Sequence, residues 1–452
     1  MSKRKRQLVL SMFVQLYGTH NNAWRQPGVK AGGNPDFEEW AKLVKLLERG
    51  KFDLAFFADF VGNGGAEVGG SRRPRGGGFE PLTLIGALAH ITKNIGLVAT
   101  VNTNFNLPYN TARWLASLDH ITAGRVGWNI VSSLAEGAVK SFGIKDELDH
   151  AERYERASEF VYAAKQLWDS WDDGAFDNAN QETGEFLNPA SGHPVHYHGK
   201  HINVDGLLDI ARPIQGYPVF FQAGNSDTGR DFAAKYAELI YAAAQDIGEA
   251  QSFYSDVKGR MAKFGRDPDH LIVSPGLFFH IGRTREEAKE KHESFEKSVD
   301  VSGSRQFFGV DVSKYPLDGP VPTDLPEPVN GRGRWRQAMA LAQRENLTIR
   351  QLIVRFSAVQ GHRTVIGTPA DIADQLEDWF VNGAADGFNL KPSQVPNDLE
   401  DFINLVVPEL QKRGIFRKEY EGTTLRENLG LPRPANPFSL QEFSANAVKA
   451  RG

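Results

Sequence analysis

Ile95-Gly96-Leu97-Val98-Ala99-Thr100-Val101 is a short apolar run, and Arg125-Val126-Gly127-Trp128-Asn129-Ile130-Val131 resembles it in length and character. Between them, residues 108–120 open on a proline and read as a helix. Runs this short and this continuously apolar are strands buried on both faces, which implies a parallel sheet covered by helices. The same unit recurs in both directions along the chain. Upstream, strands are expected over 8–14 and 54–58. A helix opens at Asn34-Pro35, places Phe37, Trp40, Ala41, Val44 and Leu47 on one face, and ends at Gly50. Another helix covers 81–90. Downstream, a long helix over 154–171 carries Phe160, Ala164, Leu167 and Trp168 on one side. Strands follow over 219–223, 239–242, 271–279 and 387–390. Their helices start at Asp227, run through Phe253 and Met261, and cover 348–359, 369–382 and 399–414. Eight buried strands alternating with helices predict a closed (β/α)8 barrel, with a doubly wound open sheet as the rival.

Two stretches break the rhythm. Residues 172–216 are rich in Asp, Asn, Gly, His and Pro and read as an excursion or hairpin; a second irregular stretch spans about 300–345. The expected organisation is one barrel domain over 1–452 with these two insertions and a C-terminal tail from about 415. No internal repeat of 20–50 residues is visible. The chain has 452 residues and is 40% hydrophobic, which supports a large core and excludes a disordered reading. A net charge of −4 gives no reason to expect nucleic acid or an anionic membrane as partner. With no cysteine, disulfides, thiolate catalysis and Cys-ligated zinc are excluded. The start of the chain reads as a first strand and not as a signal peptide, and no apolar run is long enough to span a membrane. A cytoplasmic protein is the expectation.

In a barrel, chemistry gathers just after the strands. The residues to weigh there are His20 and Trp24 after the first strand, Asp59 after the second, and Thr100 on the third. Asn129 lies on the fourth and Ser226 follows the fifth. Each has a second reading. Asp59 suits a helix cap or a rim ion pair, and Thr100 is simply a good strand former. Gly224 and Ser226 could cap a helix, or could present amides and a hydroxyl to a phosphate. His20 could be structural or functional. His193, His196, His198 and His201 crowd one segment, but their spacing is not that of a helical zinc motif and Pro194 interrupts it, so no metal is expected. Gly76-Gly77-Gly78, after Arg72, Arg73 and Arg75, lacks the Lys-Ser/Thr of a nucleotide loop and reads as a flexible loop at the mouth. Its arginines suit an anionic substrate or simply solvent.

Longer segments bring a resemblance. They include Thr19-His20 with Ala23-Trp24-Arg25, Ser117-Leu118-Asp119-His120-Ile121, and Gly127-Trp128-Asn129-Ile130-Val131-Ser132-Ser133. His150-Ala151-Glu152-Arg153-Tyr154, Gln222-Ala223-Gly224-Asn225-Ser226, Tyr315-Pro316-Leu317-Asp318, Ala385-Asp386-Gly387-Phe388 and Thr424-Leu425-Arg426-Glu427-Asn428 continue the series. In this order they resemble the bacterial luciferase-like flavin monooxygenases, in the branch that includes nitrilotriacetate, EDTA and dibenzothiophene sulfone monooxygenases. The resemblance implies a luciferase-type TIM barrel with insertions. It also implies reduced FMN and O2 as cosubstrates, and a separate NAD(P)H-dependent flavin reductase as supplier. It carries FMN-binding roles onto Asp59, Thr100, His150, Tyr154 and Ser226. His20 and Asn129 are the candidates for the substrate side. No Gly-x-Gly-x-x-Gly fingerprint follows a strand, so the chain is not expected to reduce its own flavin. A homodimer or larger homo-oligomer is the expected assembly. A deazaflavin-dependent oxidoreductase and a non-catalytic flavin-binding protein are the alternatives.

Overall fold

The computed structural model describes residues 6–20, 22–32, 34–59, 61–62, 78–132, 136–144, 148–177, 179–299, 301, 306–307, 310–328, 332–359 and 362–438. Eight parallel strands form a closed ring: β1 (Val9–Phe13), β2 (Leu54–Phe57), β3 (Gly96–Asn102), β4 (Val126–Val131), β5 (Val219–Gln222), β6 (Leu239–Ala242), β7 (Ile272–Ile281) and β8 (Gly387–Leu390). Each pairs with its neighbours in chain order. The ring closes through Leu10 opposite Phe388 between β1 and β8, which excludes the open doubly wound sheet. The helices after the strands are α1 (Phe37–Arg49), α2 (Pro81–Ile91), α3 (Pro108–Ile121), α4 (His150–Trp168), α5 (Asp227–Tyr236), α6 (Ile247–Arg260), α7 (Arg285–Lys297) and, before β8, α8 (Pro369–Val381).

Local chemistry sets several boundaries. Helix α1 starts later than the Asn34-Pro35 reading, because the Asp36 carboxylate accepts from the Glu38 amide and takes the cap position. Helix α4 starts at His150, earlier than Tyr154, because Asp149 and Glu152 form a reciprocal capping box. A ninth strand, Arg363–Gly367, has no counterpart in the sequence reading. It pairs with Leu277–Ile281, the half of β7 that extends beyond β6. The 172–216 excursion contains an antiparallel hairpin, Val195–His198 against Asn203–Gly206. The stretch near 300–345 is not irregular throughout. Its last part is the helix Arg332–Arg344, whose Trp335, Ala338, Leu341 and Ala342 pack with Ile353 and Phe356 in an apolar cluster of their own.

Alternation along the strands divides two cores. Leu10, Met12, Ala55, Phe57, Leu97, Ala99, Trp128 and Ile130 face the helices. Val9, Leu54, Phe56, Val98, Val219, Phe221, Leu239, Tyr241 and Ile272 face inward and pack with Leu425 and Leu431 from the C-terminal segment. Leu425 fills the floor because Gly96 leaves room: a Cβ there would lie 2.5 Å from Leu425 Cδ1. A Cβ on Gly127 would likewise lie 2.5 Å from Phe221 Cε2. Above this floor the rings of Phe221, Tyr241, Phe56 and Phe13 form a column, with neighbouring centroids 6.2, 4.6 and 5.5 Å apart. Arg417 anchors the C-terminal segment beneath the barrel by an ion pair with buried Asp53.

Candidate active site

The mouth of the barrel lies at the C-terminal ends of the strands. In a ring of eight, β5 stands opposite β1, and β4 opposite β8. The polar groups at these ends fall into two facing sets.

One set lies between β4, β5 and the start of α4. Ser226 caps α5, its hydroxyl accepting from the Gly229 amide at 3.1 Å. The Tyr154 hydroxyl reaches the same turn. Burial raises the Tyr154 phenol above its ordinary value, offset in part by the polar groups of Ser226, Gln222 and Ser132 that face it. Gly224 makes that approach possible, since a Cβ there would lie 2.7 Å from the Tyr154 hydroxyl. Gly229 packs on Gly224 from the other side: its Cβ would lie 2.9 Å from Gly224 backbone atoms. The result is a tight turn, with glycine at both ends, at the N-terminus of a ten-residue helix, lined by the hydroxyls of Ser226 and Tyr154. Exposed amides and the helix dipole favour an anion there. The Asn225 Oδ1 is buried without a hydrogen-bond partner among the described residues.

Deeper in the mouth, Thr100 and Asn129 are register partners on β3 and β4, and Asn129 Nδ2 donates to Thr100 Oγ1 at 2.9 Å. The Asn129 Oδ1 is buried and also lacks a partner among the described residues. Such an orphaned acceptor costs about 1–3 kcal/mol and marks where a donor on a bound group fits. The Tyr241 hydroxyl is fully buried near Ser11, and burial holds its phenol well above the ordinary value.

The facing set surrounds His20. Burial, and secondarily the neighbouring His292, lower the His20 imidazole to about 4, so it is neutral at pH 7. Its Nδ1 accepts from the Asn22 amide at 3.2 Å, which leaves the proton on Nε2. That Nε2 is buried with no partner among the described residues. The ring meets Phe295 of α7 edge-on at 5.1 Å. His280, near the end of β7, packs on the same phenylalanine at 5.4 Å and is lowered to about 3, again mainly by burial. Its Nε2 lies 3.5 Å from Ser393 Oγ. The mouth therefore offers an anion seat on one wall, an unsatisfied amide below it, and neutral imidazoles on the opposite wall.

The sequence candidates fall as follows. Thr100 with Asn129, and Tyr154 with Ser226, are brought together in pairs, and His20 stands across the ring from the second pair. Asp59 is half-buried just past β2. His150 is exposed at the first turn of α4, its ring 5.2 Å from that of Tyr154. Arg72, Arg73 and Arg75 lie outside the described residues. The histidine-rich segment gains carboxylate neighbours that its own sequence lacks: His193 lies 2.9 Å from Asp172, and His196 and His198 lie near Asp205. His280, Tyr241 and Lys391 were missed. Their signal is parity, because each continues the inward-facing row of its strand.

A family model described as luciferase-like monooxygenase matches residues 12–387. The chain is 42% identical to nitrilotriacetate monooxygenase component A of Aminobacter aminovorans, over 95% of its own length and 98% of the relative's. It is 40% identical to N-acetyl-S-(2-succino)cysteine monooxygenase of Bacillus subtilis, over 97% and 100% of the two chains. Among solved structures, EDTA monooxygenase from Chelativorans sp. BNC1 superposes with a TM-score of 0.77 at 32% identity, over 95% and 99% of the two chains. With that barrel, that mouth and likeness along nearly its whole length, the chain belongs to the luciferase-like monooxygenase family and is a flavin-dependent enzyme.

Proposed function

We propose that this enzyme oxygenates a small anionic amine or organosulfur compound beside a C–N or C–S bond, which then breaks. Reduced FMN, delivered by a separate NAD(P)H-dependent flavin reductase, supplies the two electrons and activates O2. One oxygen atom enters the substrate and the other leaves as water. A homodimer or larger assembly and a cytoplasmic location complete the reading. The two curated relatives support the substrate class by their names, one a polycarboxylated amine and the other a succinylated thioether.

The observation that carries the reading is the seat formed by Tyr154, Ser226 and the Gly224–Gly229 turn at the start of α5. Its hydroxyls and the helix N-terminus fit a phosphate. Ser226 and the α5 amides hold that group, and Tyr154 donates to it or to the adjoining chain of hydroxyls. Thr100 and Asn129 would face the flavin ring, and the orphaned Asn129 oxygen would accept from a donor on it. Asp59, just past β2, would hold the ring side of the flavin, and His150, beside Tyr154, its phosphate side. On the far wall, His20 keeps its proton on Nε2 and stays neutral. It donates a hydrogen bond to the oxygen being transferred without competing as a base. The apolar column below and Phe295 beside it exclude water from that point.

The test is oxygen consumption with NADH, FMN and a generic flavin reductase. Products are analysed across nitrilotriacetate, EDTA, N-acetyl-S-(2-succino)cysteine and neutral alkyl and aryl sulfur compounds. Conversion of an anionic compound, dependent on both proteins, is the expected result. Conversion of neutral sulfur compounds alone overturns the substrate class. Absence of any flavin-dependent oxygen use overturns the whole reading.

A further inference from the structure

We propose that Lys391 is the substrate's anion anchor: its ammonium, standing inside the barrel mouth, takes a carboxylate of the substrate whose apolar part lies against Phe13 and Phe278. This rests on the monooxygenase reading of the mouth and names the group that would select the substrate class.

Lys391 follows β8, and its amide donates to the Leu277 carbonyl at 2.8 Å, so the strand pairing with β7 continues through it. Alternation along β8 turns Gly387, Asn389 and Lys391 inward. The contacts agree: Asn389 Oδ1 accepts from inward-facing Ser11 at 3.4 Å, and the Lys391 ammonium lies 4.5 Å from the Phe13 ring centroid and 6.0 Å from that of Phe278. Lys391 is only 6% exposed. Among the described residues, no inward position of β1 to β8 carries lysine or arginine. The cation thus caps the aromatic column that starts at Phe221.

Ring faces stabilise an ammonium held in such surroundings, and the position is the rim where barrels place their chemistry. Position also separates Lys391 from the flavin phosphate. The Tyr154–Ser226 seat belongs to β5 and its helix, whereas β8 lies across the ring, next to the His20 wall. A cation there meets the substrate end. Lysine offers a compact point charge with rotatable donors, which suits a carboxylate whose approach angle is set by the rings on either side.

The experiment uses the full-length protein as wild type, Lys391→Met and Lys391→Arg. Calorimetric titration measures binding of nitrilotriacetate, N-acetyl-S-(2-succino)cysteine and benzoate, with uncharged nitrilotriacetamide as control. FMN affinity is measured alongside by fluorescence quenching. At least one carboxylate is expected to bind the wild type and to weaken about tenfold or more in Lys391→Met, with most affinity kept in Lys391→Arg. FMN and nitrilotriacetamide binding should not change. Equal carboxylate binding by wild type and Lys391→Met overturns the proposal, as does failure of every carboxylate to bind the wild type. A parallel loss of FMN affinity in Lys391→Met also overturns it, because the cation would then serve the flavin. A second measurement needs no variant. A bound carboxylate should protect Lys391 of the wild type from reductive methylation, read by peptide mass spectrometry, and unchanged labelling refutes the anchor. Should substrate-dependent oxygen use persist in Lys391→Met with unchanged affinity, the anchor is wrong while the monooxygenase reading stands.

Discussion

Tyr154→Phe isolates one hydroxyl at the proposed phosphate seat. The ring that meets Phe232 at 5.6 Å is kept, so its packing is preserved. What is lost is one hydrogen bond to a doubly charged group. Such bonds are worth about 1.5–3 kcal/mol, which is about 10–150-fold in affinity. Ser226→Ala should cost a similar factor and something more, since its hydroxyl also caps α5 through the Gly229 amide at 3.1 Å. Loss of a cap lowers stability by about 1 kcal/mol. Both groups serve one phosphate, so the double variant should lose less than the sum of the single losses. Fluorescence quenching of FMN by the full-length protein measures the affinities, and riboflavin, which lacks the phosphate, is the internal control. FMN binding should fall while riboflavin binding holds. Unchanged FMN affinity in both variants, or an equal loss for riboflavin, refutes the seat.

Other outcomes follow from the same geometry. His20→Ala should lower product formation by on the order of 10²-fold and raise hydrogen peroxide released per NADH; unchanged coupling refutes a role for His20. Folding keeps His20 neutral down to about pH 4 and His280 to about pH 3, whereas both titrate near 6.5 when unfolded. The unfolded chain therefore binds more protons below that pH, and stability present above 6.5 is lost as pH falls toward 4. His20 alone contributes about 3 kcal/mol of that loss. In urea unfolding, His280→Gln or His20→Asn should flatten the acid limb, and an unaltered limb contradicts burial of a neutral ring. Gly127→Ala drives a methyl to 2.5 Å from the Phe221 ring and 3.0 Å from Val98. It should cost about 1–3 kcal/mol in the same assay. Leu425→Ala removes a fully buried side chain from the floor and should cost about 2–5 kcal/mol, with FMN affinity less affected than stability.

The eight barrel strands were legible because each is a short, mostly apolar run bounded by turns, so alternation is hidden but length and punctuation are not. The ninth strand escaped because Arg363-Thr364-Val365-Ile366-Gly367 pairs only with the far half of β7, an arrangement that no local pattern announces. Caps were readable in principle: Asp149 and Glu152 stand at capping-box spacing, and the start of α4 follows from them. The site was half legible. Asn129, Tyr154 and Ser226 sit in segments that resemble a family, the resemblance implies a role for Thr100, and the structure pairs Asn129 with Thr100 and Tyr154 with Ser226. His280 was passed over because its strand was ended at Phe279, one residue short. Lys391 lies one residue beyond the expected end of its strand at Leu390, on the next inward position after Asn389. Parity counted one step past each strand end would have found both.

Part of the expected C-terminal tail, residues 417–431, packs into and against the barrel. At the lowest inward positions β3, β4 and β8 carry Gly96, Gly127 and Gly387, so the strands alone would leave a hollow. Leu425 enters through the gap at Gly96, Phe221 swings across at Gly127, and Val9 closes on Gly387. The plug is then fastened from outside. Arg417 bonds to Asp53 and to the Asn428 carbonyl, and Arg426 to Glu238 and the Tyr217 carbonyl. These arginines are almost wholly buried, so each fixes the segment through bonds that water cannot replace. The functional consequence concerns access. A barrel stoppered by apolar side chains at its N-terminal end leaves the mouth as the route for flavin, oxygen, substrate and water. Electrons delivered to oxygen in such a chamber are wasted whenever water reaches the reacting point first. On this argument the C-terminal segment contributes to coupling without touching a reactant. It blocks one end of the barrel so that the residues at the other end decide what enters.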